Sequence, residues 1–294
     1  MSDLGRYSPR GERQQGVALV IVIWTMALLA LLMVGFLSNV RSQLSIARND
    51  YEQAQARALA EAGISLAILG ALEPDPDARW RLDGTVQTLA FAGGIIRASV
   101  QNEAGKIDLN RAPEPLLAGL FRTVGVAKAQ SAALLQSIAR WKAGRLEAWA
   151  AAGAATSAEP FLAVEELRSV PGMSPEIFDR VAPFVTVHSR QAMIDPLSAP
   201  IEVLRSIPGV TQAAIDAFVE SRSRPEAVPA LTGAASFLAS SYAQAVMVRS
   251  EGTTAAGTTA VREGVIEIGG GPGMPYSTVA WRAAAMRAES EIGR

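Results

Sequence analysis

The chain has 294 residues, with 27 Lys+Arg against 28 Asp+Glu, one His and no Cys. The length favours about two domains, and the near-zero charge balance argues against both a disordered chain and a nucleic-acid binder held by bulk positive charge. Without cysteine there is no disulfide, Cys-based zinc site or thiol nucleophile, and a single His is a poor basis for Ser-His or multi-His metal chemistry.

The first element is the apolar run Val17 to Leu37, which carries no charge and is preceded by Arg6, Arg10 and Arg13. As a helix it is about 31 Å long, enough to cross a ~30 Å hydrocarbon core. The arginines predict a short leader on the cytoplasmic side and the bulk of the chain beyond the membrane. A cleaved secretory signal has a shorter apolar part and an A-x-A-like cut site, and Ser38 to Gln43 offers no such pair. A plain signal anchor is the competing reading.

Val40, Leu44, Ala47, Tyr51, Ala54, Ala58, Ala62, Leu66 and Leu69 recur at spacings of three and four, which predicts that the helix continues with these residues as its packing stripe. The next strong stop is Glu73-Pro74-Asp75-Pro76, so one helix is expected from Val17 to Leu72. Gly35 and Gly63 are expected to be bends or points of close packing. An Ala-rich stripe buries little area alone and calls for a sheet or a neighbouring subunit along it.

TVQTLAF and GIIRASV, around Ala92-Gly93-Gly94, read as a β-hairpin. Helical periodicity follows to about Arg224. Within it Ile107-Asp108-Leu109-Asn110-Arg111-Ala112-Pro113 resembles Ile194-Asp195-Pro196-Leu197-Ser198-Ala199-Pro200, each proline suiting the first turn of a helix. Three glycine turns, Val124-Gly125-Val126, Val170-Pro171-Gly172-Met173 and Ile207-Pro208-Gly209-Val210, have Leu120, Leu167 and Leu204 five residues before the glycine. That is helix-hairpin-helix spacing.

Such hairpins can hold a phosphate on backbone N–H groups, so a membrane-anchored DNA-binding protein resembling a competence DNA receptor is the alternative function. DNA-binding versions favour a second glycine where this chain has Ala127, Ser174 and Thr211. Residues 106–225 hold 13 Lys+Arg against 12 Asp+Glu, a net of +1. No nucleic-acid partner is expected, and the hairpins read as packing units.

AQAVMVRS, TTAVREGVIEIG and YSTVAWRA then read as strands separated by the turn-rich stretches Gly252 to Gly257 and Gly269 to Pro275. They are expected to join the earlier hairpin in one sheet against the long helix. His188 has no companion His or Cys, Trp141, Trp149 and Trp281 read as packing residues, and Glu165-Glu166 reads as a solvated pair at a helix start. Asp75, Asp77 and Asp83 could offer oxygens to calcium but lack a spaced loop. No cofactor, metal site or catalytic residue is assigned, and no nucleotide-binding or nucleophile motif is present.

The leader ending Arg13-Gln14-Gln15-Gly16, directly before Val17-Ala18-Leu19, resembles a type IV pilin signal. The resemblance implies cleavage by prepilin peptidase between Gly16 and Val17, with N-methylation of Val17. Pilins carry Glu at the fifth mature position, where this chain has Ile21. A buried carboxylate there would need an amine partner from an adjacent subunit. Lacking it is characteristic of the K-type minor pseudopilins of type II secretion systems, and Asn102-Glu103-Ala104-Gly105-Lys106-Ile107-Asp108-Leu109-Asn110 is similar to that family's passage into its helical insertion.

The implied fold class is α+β: a type IV pilin-like long N-terminal helix packed on an antiparallel sheet, with a large all-α insertion of helix-hairpin-helix/SAM-like character. The implied domains are a leader at 1–16, a transmembrane segment at 17–37, helix and first hairpin at 38–105, the insertion at 106–235 and closing strands at 236–294. The resemblance also implies a single-pass inner-membrane protein with a periplasmic bulk that caps the pseudopilus and helps start its assembly. Its partners would be the minor pseudopilins I and J, the major pseudopilin, prepilin peptidase, the inner-membrane assembly platform, and also exported proteins and the secretin.

Overall fold

The computed structural model describes residues 14–153, 159–222, 231, 233–240, 244–271 and 274–283. Residues 1–13 of the leader lie outside the described residues. Two compact units divide the chain, Met1–Gln55 and Ala56–Arg294.

Helix α1 (Gln14–Ala71) begins in the first unit. Its segment Ala18–Phe36 is long and apolar enough to cross a membrane and is not buried within the protein. Thr25 donates to the carbonyls of Ile21 (3.0 Å) and Val22 (2.9 Å), so the one hydroxyl in that segment is satisfied inside its own helix.

In the second unit the last turns of α1 lie on a five-stranded antiparallel sheet. Its strands are β1 (Asp83–Phe91), β2 (Gly94–Asn102), β5 (Ala245–Thr253), β6 (Thr259–Gly271) and β7 (Met274–Ala283), in the order β1-β2-β5-β6-β7. The strands reach further into both expected turns than the sequence pattern suggests. Ala92 (φ 47°) and Gly93 (φ 77°) alone close the first hairpin, with Gly94 already paired to Phe91.

The face of α1 that packs on the sheet is Ala56, Leu59, Ala60, Gly63, Ile64, Ala67, Ile68 and Ala71. Of the stripe expected from spacing, Ala62 and Leu66 are half-buried against this core, but the rest is corrected, since Ala54 and Ala58 are exposed and Leu69 is 67% exposed. Both sets repeat at helical intervals, and small residues decide between them. Gly252 of β5 lies so near α1 that an added Cβ would stand 2.5 Å from the Ala60 nitrogen and 2.6 Å from the Ala56 oxygen. Only alanine and glycine allow that approach. The larger Leu59, Ile64 and Ile68 then fill the flanks against Ile96, Val100, Val246, Val248 and Ile266, each contributing about 1.5–3 kcal/mol of burial. Gly63 is a close-packing point as expected, whereas nothing approaches Gly35 within 4 Å.

The ladder from β2 to β5 runs from Ile95↔Thr253 to Asn102↔Val246, so residues 103–244 leave the sheet and return to the neighbouring strand position. That segment builds its own core. It contains the short strands β3 (Ile107–Asp108) and β4 (Val185–Thr186), paired in parallel, and helices α2 (Glu114–Thr123), α3 (Lys128–Ala151), α4 (Pro175–Val181), α5 (Ile201–Ser206) and α6 (Gln212–Ser221). Leu116, Leu120, Phe121, Phe161, Leu167, Leu204 and Ile207 are among its most buried side chains. The result is the α+β fold expected, with the insertion separate from the sheet in sequence and joined to it at one end.

Candidate functional site

The passage between sheet and insertion is fastened by buried and half-buried polar contacts to both. Asn102 ends β2 and caps a 3-10 turn (Glu103–Gly105), its Oδ1 accepting from the Ala104 N–H at 3.0 Å. Glu103 and Lys106 are both buried and form an ion pair of 2.6 Å. The other Glu103 oxygen accepts from the Thr186 hydroxyl on β4, while the Lys106 ammonium touches Met247 Sδ of β5 at 3.7 Å. Gln101 donates to the Ser198 carbonyl at 2.6 Å and the Asp195 N–H to the Ala104 carbonyl at 2.8 Å. A Cβ on Gly105 would stand 2.5 Å from that same Ser198 carbonyl oxygen. The quoted motif Asn102 to Asn110 is therefore a joint, fixed to the sheet on one side and to both halves of the insertion on the other.

The two resembling segments are structurally equivalent. Ile107 pairs in parallel with Val185, and Ile194 in parallel with Leu238. Each following aspartate takes donors from its own turn and from a distant segment: Asp108 accepts from the Asn110 and Arg111 N–H groups, Ser189 Oγ and the Arg190 N–H, and Asp195 from the Leu197 N–H, Ser198 Oγ and Asn102 Nδ2. Burial raises the carboxyl pKa of Asp108 above its usual value despite those four donors. Pro113 and Pro200 are N-caps in extended conformation, one position earlier than the helical first turn expected of them.

Each of the three glycines has positive φ: Gly125 (79°), Gly172 (90°) and Gly209 (82°). Leu120, Leu167 and Leu204 are buried before them. Where DNA-binding hairpins carry a second glycine, Ala127, Ser174 and Thr211 are the N-caps of α3, α4 and α6, and the hydroxyls of Ser174 and Thr211 accept from the N–H groups of Ile177 and Ala214. Arg180 Nη1 donates to the Val124 carbonyl at 2.7 Å, closing the first turn, and Gly209 lies against Gly233. The turns are built into the insertion's packing.

Gly16 and Val17 lie within α1, and Ile21 is 57% exposed on it. Trp141 stacks on Phe161, and Arg145 lies over the rings of Trp141 and Trp149. Trp281 is half exposed, against the packing role expected, because β7 is the sheet edge and Gly264 beside it supplies no side chain. Glu166 is not simply solvated: it accepts from the Leu162 N–H and pairs with Arg145 at 3.2 Å. His188 is half buried and its N–H donates to Thr186 Oγ1.

Asp75 accepts from the Asp77 N–H, whereas Asp83 is held by Arg81, so the three aspartates are not gathered around one point. Among the described residues no group of three or more His, Asp or Glu is placed to hold a metal. Sequence reasoning missed the buried Glu103–Lys106 pair, because a charged i,i+3 pair ordinarily reads as solvated surface. It also missed Asn110, whose side chain binds both the N–H (2.8 Å) and carbonyl (2.9 Å) of Phe161.

Residues 96–190 match the family model described as type II secretion system protein K. That span begins in β2, crosses the joint and ends just after β4. Comparison with curated protein sequences gives no match. Among solved structures, a chain of the crystal structure of the GspK-GspI-GspJ complex from the enterotoxigenic Escherichia coli Type 2 Secretion System aligns with a TM-score of 0.50 at 15% sequence identity. The alignment covers 84% of this chain and 100% of that one, a likeness of fold.

Proposed function

We propose, from the match of residues 96–190 to the family model described as type II secretion system protein K, that this chain belongs to that family and is the minor pseudopilin that caps the pseudopilus and helps begin its assembly. The observation that carries this reading is the insertion between β2 and β5. It places a separate helical body on one end of the sheet, and a body of about 120 residues is roughly 35 Å across by compact-domain scaling. Such a body blocks the stacking of a further subunit on that end. Ile21 fits the same position, since a subunit with none above it has no neighbouring amine for a carboxylate to neutralise.

In this reading prepilin peptidase cuts between Gly16 and Val17, Val17 is N-methylated, and the Ala18–Phe36 segment anchors the chain once in the inner membrane, leader inside and bulk in the periplasm. The minor pseudopilins I and J are its direct partners. The related crystal structure is of a complex bearing those names, which supports that choice. The major pseudopilin, the assembly platform, exported proteins and the secretin are further partners. The work is mechanical, without catalysis or cofactor.

The test is mass spectrometry of the N-terminal peptide from membranes with and without prepilin peptidase, together with co-purification of I and J from the same membranes. A peptide starting at methylated Val17 only with the peptidase, and recovery of both partners, is the expected result. Normal maturation in a Gly16→Leu variant, or no recovery of either partner, defeats the reading.

A further inference from the structure

Beside the joint lies an open cavity of about 630 Å³, lined by residues of the sheet side, among them Leu72, Arg79, Arg81 and Asp83, and by Asp195 and Arg222 of the insertion. Its two carboxylates are already engaged. Asp83 accepts from Arg81 Nε (2.9 Å) and Nη2 (2.7 Å) and from Thr85, and Asp195 accepts from Ser198 Oγ at 2.6 Å and the Leu197 N–H at 3.3 Å. The charge left over is positive.

Among the described residues the hydrogen bonds of Arg79 and Arg222 go to neutral carbonyls, while Asp83 and Asp195 act on Arg222 through their charge alone. Arg79 donates to the carbonyls of Glu73 (2.6 Å) and Pro74 (3.1 Å). Arg222, the C-cap of α6, donates from Nη1 to the carbonyls of Pro196 (3.3 Å), Leu197 (3.4 Å) and Ala199 (2.7 Å). Its Nε is buried and, among the described residues, has no hydrogen-bond partner. A buried charged donor without an acceptor is costly, and a ligand that accepts hydrogen bonds from the same guanidinium would offset the cost of burying it. Burial also pushes the Arg222 guanidinium below its usual pKa, a penalty that a bound negative charge would offset.

We propose that this cavity binds an oxyanion, a phosphate or a carboxylate, with Arg222 and Arg79 supplying the charge-assisted hydrogen bonds. Because the two arginines come from opposite sides of the joint, an occupied site ties the insertion to the sheet. The proposal stands on the cavity and is independent of the secretion assignment.

The test is thermal unfolding of the full-length protein in detergent, titrated with sodium phosphate or sodium succinate at ionic strength held constant with chloride. Saturable stabilisation by one of the two is expected, phosphate or succinate deciding the class, with Arg79→Gln and Arg222→Gln each weakening the response at least tenfold. Arg79→Gln keeps the test valid should loss of the three Arg222 contacts impair folding. No saturable response to either anion, or a response undiminished in Arg79→Gln, overturns the proposal.

Discussion

Gly63 of α1 and Ser250 of β5 are in such close approach that a Cβ on the glycine would stand 2.0 Å from the serine Oγ, and 2.5 Å from Ile96 Cγ2. Ser250 Oγ is itself buried and, among the described residues, has no hydrogen-bond partner. The crossing accepts that cost to bring helix and strand together. Gly63→Leu is expected to force α1 off the sheet and lower stability by about 1–3 kcal/mol, the usual cost of overpacking. Gly35→Leu, with nothing within 4 Å, is expected to leave the melting temperature of the same detergent-solubilised protein unchanged. Equal effects would show that helix propensity, not packing, governs both sites.

Breaking the Glu103–Lys106 pair leaves one charge buried at the joint. Lys106→Met is expected to cost about 3–5 kcal/mol, because the remaining carboxylate loses its cation in a site that excludes water. The double variant Glu103→Leu with Lys106→Met removes both charges and is expected to recover much of that loss. Denaturant unfolding of the four proteins in the cycle measures it. A single variant near wild-type stability would mean that water reaches the pair.

How much of this was legible in the sequence depends on which physical signal dominates locally. The hairpin, the three closing strands and the glycine turns were legible because alternation and positive φ leave direct marks at Ala92-Gly93, Gly125, Gly172 and Gly209. The packing face of α1 was not. Leu44, Tyr51 and Leu69 recur at helical spacing just as Leu59, Ile64 and Ile68 do, and contact with the sheet is chosen by Ala56, Ala60 and Gly63, whose merit is small size. The motif Asn102 to Asn110 was recognisable by resemblance, but its fastening depends on Thr186, Asp195, Ser198 and Met247, distant in sequence.

Asp83 predicts an acid response. Burial works to raise its carboxyl pKa, but Arg81 and the Thr85 donors outweigh it and hold it below 3.8. A carboxyl depressed in the folded state contributes stability above its unfolded pKa and loses it as pH falls through the folded value. The stability difference between the wild type and Asp83→Asn is therefore expected to be full near about pH 5 and to shrink toward about pH 2. Unfolding curves at a series of pH values check this, and a difference that grows on acidification would reverse the sign.

The hairpins predict weak binding to duplex DNA. Val124 is occupied by Arg180, the third-position residues are N-caps, and the region's net charge is near zero. Fluorescence anisotropy with a labelled duplex at physiological salt is expected to give a Kd no tighter than about 10⁻⁴–10⁻⁶ M, the non-specific range. Tight binding with a steep salt slope would revive the anchored DNA receptor.

Ile21 carries the sharpest test of position. Replacing it by Glu places a carboxylate in the apolar half of α1 at a cost of about 2.5–3.5 kcal/mol on insertion scales, which a long apolar segment tolerates. Ile21→Glu is therefore expected to fractionate with the membrane as the wild type does. In a tip subunit the new carboxylate has no amine above it, so secretion and recovery of assembled I and J are expected to fall. In a subunit within the stack it would find an amine, and secretion would stand or rise. Cell fractionation alongside a secretion assay separates the two outcomes, and unchanged secretion with normal assembly would remove Ile21 from the argument for a capping position.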